Sequence, residues 1–224
     1  MITAVIPAYN EERYIADVVE RVLKYVDVVI VVDNNSEDGT ARLAEGVGAL
    51  VLKEHTSGAG SATNMGLQSA KAIGSDIVVT IDGDGQHDPA DIPHLIEPIL
   101  KNDADVVLGS RFMNQNITIP LYRKFGIKVI TLCCNFCTNN WITDAQCGLR
   151  AFSKYALQTF DIEEHGYGIM IEEIMKAKKA YLRVEEVPVQ CFYRGLKSDS
   201  GMNPIKQGIM TLLYIIKWRL RLVV

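Results

Sequence analysis

The chain has 224 residues, 48% hydrophobic and 22% charged. That suffices for one large domain with its own core and excludes disordered, collagen-like and coiled-coil classes. A net charge of −4, from 23 basic and 27 acidic side chains, lacks the basic excess of a nucleic-acid binder, and five cysteines without framework spacing point to a reducing compartment.

In chain order, residues 3–6 read as a β-prone apolar run. Residues 11–26 then place Ile15, Val18, Val19, Val22, Leu23 and Val26 at spacings of three and four, one face of a helix. A buried strand is expected over 28–32. Turn chemistry follows at 34–39, with Ser36 or Asp38 as cap of a short helix to Glu45. Residues 49–52 are a third strand, and Gly58 and Gly60 precede a helix reaching Ile73. Strands four and five are expected at 76–81 and 106–108. Helices follow at 120–140, 151–160 and 168–180, then a late edge strand at 182–189 and a final amphipathic helix at 203–218. Strands separated by helices imply crossover connections and a mostly parallel sheet. No charged leader precedes the first apolar run, and no stretch gives the ~20 apolar residues of a spanning helix, so neither a signal peptide nor a membrane span is expected. Residues 194–224 hold Arg194, Lys197, Lys206, Lys217, Arg219 and Arg221 against Asp199, a tail of +5 on a body of −9. In the last helix Ile205, Ile209, Leu212, Leu213 and Ile216 share a face, and Trp218 with the nearby basic residues suits a headgroup layer. The tail is read as seated on a membrane surface or packed on the body.

Open α/β sheets bind ligands at the carboxyl ends of their strands. Four polar clusters fall there, the sharpest being Asp82, Gly83, Asp84, Gly85 and Gln86. Residues two apart on an extended chain point the same way. Asp82, Asp84 and Gln86 thus offer two carboxylates and an amide oxygen, a set suited to a hard divalent cation, Mg²⁺ or Mn²⁺, completed by diphosphate oxygens. His87 is expected close to substrate or metal. Gly58-Ala59-Gly60 is a tight turn opening a helix, with a phosphate as one candidate neighbour. Cys134 and Cys137 lie in an apolar helical run and read as packing residues.

The stretches Pro7-Ala8-Tyr9-Asn10-Glu11, Val31-Val32-Asp33 through Asp38-Gly39-Thr40, and Asp82-Gly83-Asp84-Gly85-Gln86-His87 resemble the inverting glycosyltransferases of family 2, especially the dolichol-phosphate mannose and glucose synthases. Gly109-Ser110-Arg111-Phe112, Asp144 with Gly148 and Arg150, and Glu186-Val187-Pro188-Val189 leading to Arg194 extend the match over nearly the whole chain. The resemblance implies an α/β, GT-A-like fold: a mostly parallel central sheet flanked by helices, a Rossmann-like single domain over 1–202, and an amphipathic helix over 203–224. It implies a nucleotide-sugar donor in a pocket lined by Pro7, Tyr9, Glu11, Asp33 and Asn34. Asp82, Gly83, Asp84 and Gln86 would hold the metal and donor diphosphate, and Arg111 and Arg194 would meet phosphate charge. The expected reaction moves a hexose from a UDP- or GDP-sugar to a polyprenyl phosphate on the cytoplasmic face of a membrane. The alternative acceptor is a sugar hydroxyl, which needs a general base, with Asp144 or Glu172 as candidates. Departures from the family pattern are Asn34 and Asn35 after Asp33, Ala59 between the glycines, and Asp199 near the end of the domain.

Overall fold

The computed structural model describes residues 1–113, 119–138, 141–160, 162–166, 168–193 and 204–222. Its strands are β1 (Ile2–Ala8), β2 (Val28–Asp33), β3 (Leu50–Lys53), β4 (Ile77–Thr80), β5 (Val106–Ser110), β6 (Arg150–Ser153) and β7 (Val184–Pro188). Its helices are α1 (Ile15–Val22), α2 (Thr40–Gly46), α3 (Ala59–Ala72), α4 (Ile92–Leu100), α5 (Leu121–Thr138), α6 (Lys154–Thr159), α7 (Ile169–Lys179) and α8 (Pro204–Leu222). One seven-stranded sheet runs β3-β2-β1-β4-β6-β5-β7. It is parallel except for β6, which is antiparallel to both β4 and β5.

Side-chain alternation divides the core between the sheet's two faces. Val5, Ile30, Val32, Val78, Val106, Leu108 and Phe152 pack with α3, α5, α6, α7 and α8. Ala4, Ile6, Val29, Val31, Val79, Val107 and Ala151 pack with α1, α2 and α4. Four of the six residues of the predicted stripe, Ile15, Val18, Val19 and Val22, are buried on α1, which ends at Val22 rather than Val26; Leu23 and Val26 lie half-buried beyond it. Each of the four buried residues contributes up to about 1.5–3 kcal/mol relative to an exposed position.

Three elements differ from the sequence expectation. The first helix starts at Ile15 rather than Glu11, because the preceding backbone amides serve a loop-to-loop joint. Asn10 N donates to Ser36 Oγ (3.0 Å), Glu11 N to Thr40 Oγ1 (2.8 Å) and Glu12 N to Asp38 Oδ2 (3.1 Å). The expected helix over 151–160 is divided: residues 150–153 form β6, and Ser153 caps α6 by accepting from Ala156 N at 3.2 Å. A four-residue strand buried on both faces carries no alternation to distinguish it from a buried helix turn. Finally, α4 forms although Pro93 and Pro98 break its pattern; Pro93 lies in the first turn, where no amide partner is lost.

The α8 helix packs beside α5. Trp218, expected at a headgroup layer, is instead buried and donates to Tyr214 Oη at 2.8 Å. Leu212 also packs on the core, while Ile209, Leu213 and Ile216 are exposed. An indole ring gains more by filling the seam beneath α8 than by remaining in water. Among the described residues no helix is long and apolar enough to cross a membrane.

Candidate active site at the carboxyl rim of the sheet

Strand register brings the polar clusters together. Ala8 pairs with Asp33 and Asp33 with Lys53, so β1, β2 and β3 end level. Ile81 N donates to Val5 O, which places Asp82 at the same rim. Pro7, Tyr9, Glu11, Asp33 and Asn34 lie on the β1–β2 side. Tyr9 is exposed, and Asp33 is buried with its Oδ1 accepting from Ser36 N. Asn34 serves the fold directly. Its Nδ2 donates to the carbonyls of Glu54 and Thr56, and its Oδ1 accepts from Gly58 N at 2.8 Å.

The glycine turn before α3 faces protein rather than an open phosphate site. A Cβ on Gly58 would fall 2.1 Å from His165 O, and one on Gly60 within 2.6 Å of the Glu164 and Gly166 carbonyls. Ser61 N, in the first turn of α3, donates to His165 O at 3.1 Å. The protein's own 163–166 loop therefore caps the helix terminus.

After β4 the two carboxylates lie in one cleft. His87, only 4% exposed, places Nε2 3.5 Å from Asp82 Oδ2. Burial alone would raise the Asp82 carboxyl, but His87, Arg111 and Arg150 outweigh it and hold it below the ordinary carboxylate range. Asp84 is pushed up to about 6, first by burial and then by the charge of Asp82. Its Oδ1 accepts from Gln86 N at 2.9 Å, a local turn that fixes the loop. Two adjacent, half-buried carboxylates, one of which raises the other's pKa, fit a divalent cation. Among the described residues no group of three or more His, Cys, Asp or Glu converges on one point. The pair therefore suits an ion that draws the rest of its shell from water and phosphate oxygens, as Mg²⁺ and Mn²⁺ do.

The floor of this cleft is the 144–150 loop. Asp82 rests against Gly148: a Cβ there would lie 2.4 Å from Asp82 Oδ2. Asp144 is fully buried and bidentate to Arg111, with Nε to Oδ2 at 2.7 Å and Nη2 to Oδ1 at 2.9 Å. Arg150 clamps the loop from below. Its guanidinium donates to the carbonyls of Cys147, Ala145 and Met170 and to Glu173 Oε2, all within 2.8 Å. Glu186 of β7 closes the loop's start, accepting from Thr143 N at 2.7 Å and Asp144 N at 3.0 Å.

The two candidate bases thus have other duties. Asp144 is bound to Arg111. Glu172, buried in α7, accepts from the backbone amides of Glu163 and Glu164 and pairs with Lys176 at 2.9 Å. Arg111 reaches further: Nη1 donates to Tyr193 Oη at 3.3 Å, and Arg123 of α5 stacks 5.6 Å from the same ring. Arg123 is close enough to Asp84 to oppose the rise of its carboxyl. Residues 190–193 are stitched to the 82–87 loop, with Phe192 N donating to Gln86 O at 2.7 Å and Cys191 bridging His87. Arg123, Tyr193 and the support role of Gly148 had no local sequence signal, because each acts across loops far apart in the chain. Cys134 is buried in the core. Arg194, Lys197 and the side chain of Cys137 lie outside the described residues.

The glycosyl transferase family 2 model matches residues 3–160. The UDP-N-acetylglucosamine–dolichyl-phosphate N-acetylglucosaminyltransferase of Methanococcus voltae is 34% identical, with 91% of this chain and 90% of that protein aligned. The undecaprenyl-phosphate mannosyltransferase of Micrococcus luteus is 30% identical over 98% and 94%. In fold, the glucosyl-3-phosphoglycerate synthase of Mycobacterium tuberculosis superposes with a TM-score of 0.74 at 24% identity, covering 96% of this chain and 80% of that one. It has also been solved with Mn²⁺, UDP and phosphoglyceric acid. With a family model spanning most of the sheet and such relatives aligned along nearly its whole length, the chain belongs to glycosyl transferase family 2.

Proposed function

We propose that this glycosyltransferase moves a hexose, with inversion, from a UDP- or GDP-sugar to a polyprenyl phosphate, with Mg²⁺ or Mn²⁺ bound and at the cytoplasmic face of a membrane. One observation carries the reading: a carboxylate pair, Asp82 and Asp84, confronts a cationic corner of Arg111 and Arg123 gathered on Tyr193. Such a rim accommodates two anions, one through a cation and one directly on guanidinium groups. The relatives named for dolichyl and undecaprenyl phosphate support the acceptor class.

Pro7, Tyr9, Glu11 and Asp33 would line the nucleoside pocket, and Asp82 and Asp84, with Gln86 beside them, would hold the cation. That cation would neutralise the charge developing on the leaving diphosphate. On the other side, Arg111 and Arg123 orient the attacking phosphate, and planar guanidinium forks match phosphate oxygens. Arg194 joins them in this proposal. A sugar hydroxyl must lose its proton to attack, whereas a phosphate monoester with a second pKa of ~6 is already ionised. The engagement of Asp144 with Arg111 and of Glu172 with backbone amides favours the acceptor that needs no base.

The test has two stages. A melting-temperature panel of UDP-, GDP- and dTDP-sugars with and without Mn²⁺ should give a shift for one nucleotide only when metal is present. That donor should then label a polyprenyl phosphate and not a neutral glycoside; the reverse preference would establish the hydroxyl acceptor instead.

A further inference from the structure

Helix α5 buries Ile127, Ile130 and Cys134 against the core, yet its outer side is strongly apolar. Leu121 is 83% exposed and Phe136 82%, with Phe125 and Leu132 exposed between them. Residues 121, 125, 132 and 136 fall on one narrow helical stripe. Lys124 and Lys128, both exposed, run alongside it. Trp141, just beyond the helix, is 85% exposed. A soluble monomer rarely leaves so many large apolar side chains contiguous in water.

Charge points to the occupant. The segment Leu121–Thr138 contains Arg123, Lys124 and Lys128 and no acid, and the adjacent Pro204–Leu222 contains Lys206, Lys217, Arg219 and Arg221 and no acid. Seven basic residues therefore sit on two neighbouring helices of a chain whose net charge is −4. On α8, Ile209, Met210, Leu213 and Ile216 are also exposed. An apolar stripe edged by lysine and ended by a tryptophan is the composition of a helix lying in a headgroup layer. A second copy of this acidic protein would match the apolar part but would not require both helices to be free of acid.

We propose that the outer face of α5 seats the enzyme on an anionic bilayer, with α8 beside it. The proposal deepens the lipid-acceptor reading and assigns α5 a second task. Its first turn carries Arg123, which stacks on Tyr193 at the edge of the catalytic cleft. Arg123 turns inward from the stripe, so this seat would hold the cationic corner one helix diameter (~10 Å) above the headgroups, and the lipid phosphate would rise by that distance to meet it.

The full-length protein would be floated with vesicles of phosphatidylcholine mixed with phosphatidylglycerol, and with phosphatidylcholine alone. The wild type should partition to the anionic vesicles. Phe136→Glu combined with Trp141→Glu, both at strongly exposed positions not assigned to the site, should lower that partitioning by about tenfold or more without changing the melting temperature. The same variant should retain transfer to a short, water-soluble isoprenyl phosphate. Equal flotation of the two proteins would overturn the proposal. So would a wild-type dimer in light scattering that fails to float and becomes monomeric in the variant. Lost flotation in a protein that glycosylates no isoprenyl phosphate at all would leave the bilayer seat standing and remove the acceptor assignment.

Discussion

Gly148 separates cation binding from folding. The atom a new methyl group would strike is Asp82 Oδ2, the movable end of a side chain. Gly148→Ala should therefore displace the carboxylate at an off-rotamer cost of about 0.5–1.5 kcal/mol. Mn²⁺ affinity should fall about 10–100-fold, the usual penalty for disturbing a group that orients a ligand. Paramagnetic titration of Mn²⁺ beside a melting curve checks both, and undiminished affinity would remove Gly148 from the site. Asp84 and Asp144 should behave oppositely. Burial and Asp82 disfavour the charged form of Asp84, so Asp84→Asn should leave the melting temperature equal or higher while abolishing metal-dependent donor binding. Asp144 is the bidentate partner of a largely buried arginine. Asp144→Asn should cost about 3 kcal/mol, seen as a lower denaturation midpoint, so lost turnover in that variant does not identify a general base.

At the scale of elements, the 144–150 loop is one plate serving both halves of the cleft: Gly148 backs Asp82, and Asp144 holds Arg111. Arg150 keeps the plate flat, and three of its four partners are backbone carbonyls. Arg150→Met should destabilise by about 3–5 kcal/mol, as for a broken buried ion pair. Adding Glu173→Leu should recover little, because the carbonyls remain unpaired; a chemical-denaturation double-mutant cycle measures this. Full recovery would mean that the ion pair alone holds the plate. The contrast between β4 and β6 shows what a sequence can tell. An apolar run followed at once by Asp82 and Asp84 declares both a buried strand and the polar end on which the proposed site is built. In contrast, Arg150–Ser153 is too short for a period, and α4 is disguised by Pro93 and Pro98. The β1, β2 and β4 clusters were legible because each follows its own strand. Arg123 meeting Tyr193, and Gly148 meeting Asp82, are contacts across about 70 residues that no local pattern encodes.

At the scale of the whole molecule, charge is segregated: an acidic body carries two adjacent helices, α5 and α8, that hold seven basic residues and no acid. Lysine and arginine keep their charge through neutral pH, so adsorption to anionic vesicles should be nearly flat between about pH 6 and 9. It should weaken with salt, since the screening length contracts from about 10 Å at 0.1 M to 3 Å at 1 M. The exposed stripe of α5 should leave a salt-resistant remainder. Co-sedimentation across a salt series measures both parts, and complete release at high salt would reduce the interaction to electrostatics alone.

The antiparallel β6, set between β4 and β5, also dictates an order of events during synthesis. The edge of β4 away from β1 stays unpaired until Arg150–Ser153 leaves the ribosome, some 70 residues later, and β5 has only β6 and β7 as neighbours. At about 5–20 residues per second, the nascent chain presents for about 4–14 s the open edge of a strand, Ile77–Thr80, whose residues are all buried in the finished fold. Ribosome-released chains ending near residue 110 should accordingly aggregate or bind chaperones. Chains ending past α6 should do so far less, a difference readable by pelleting translation products of graded length.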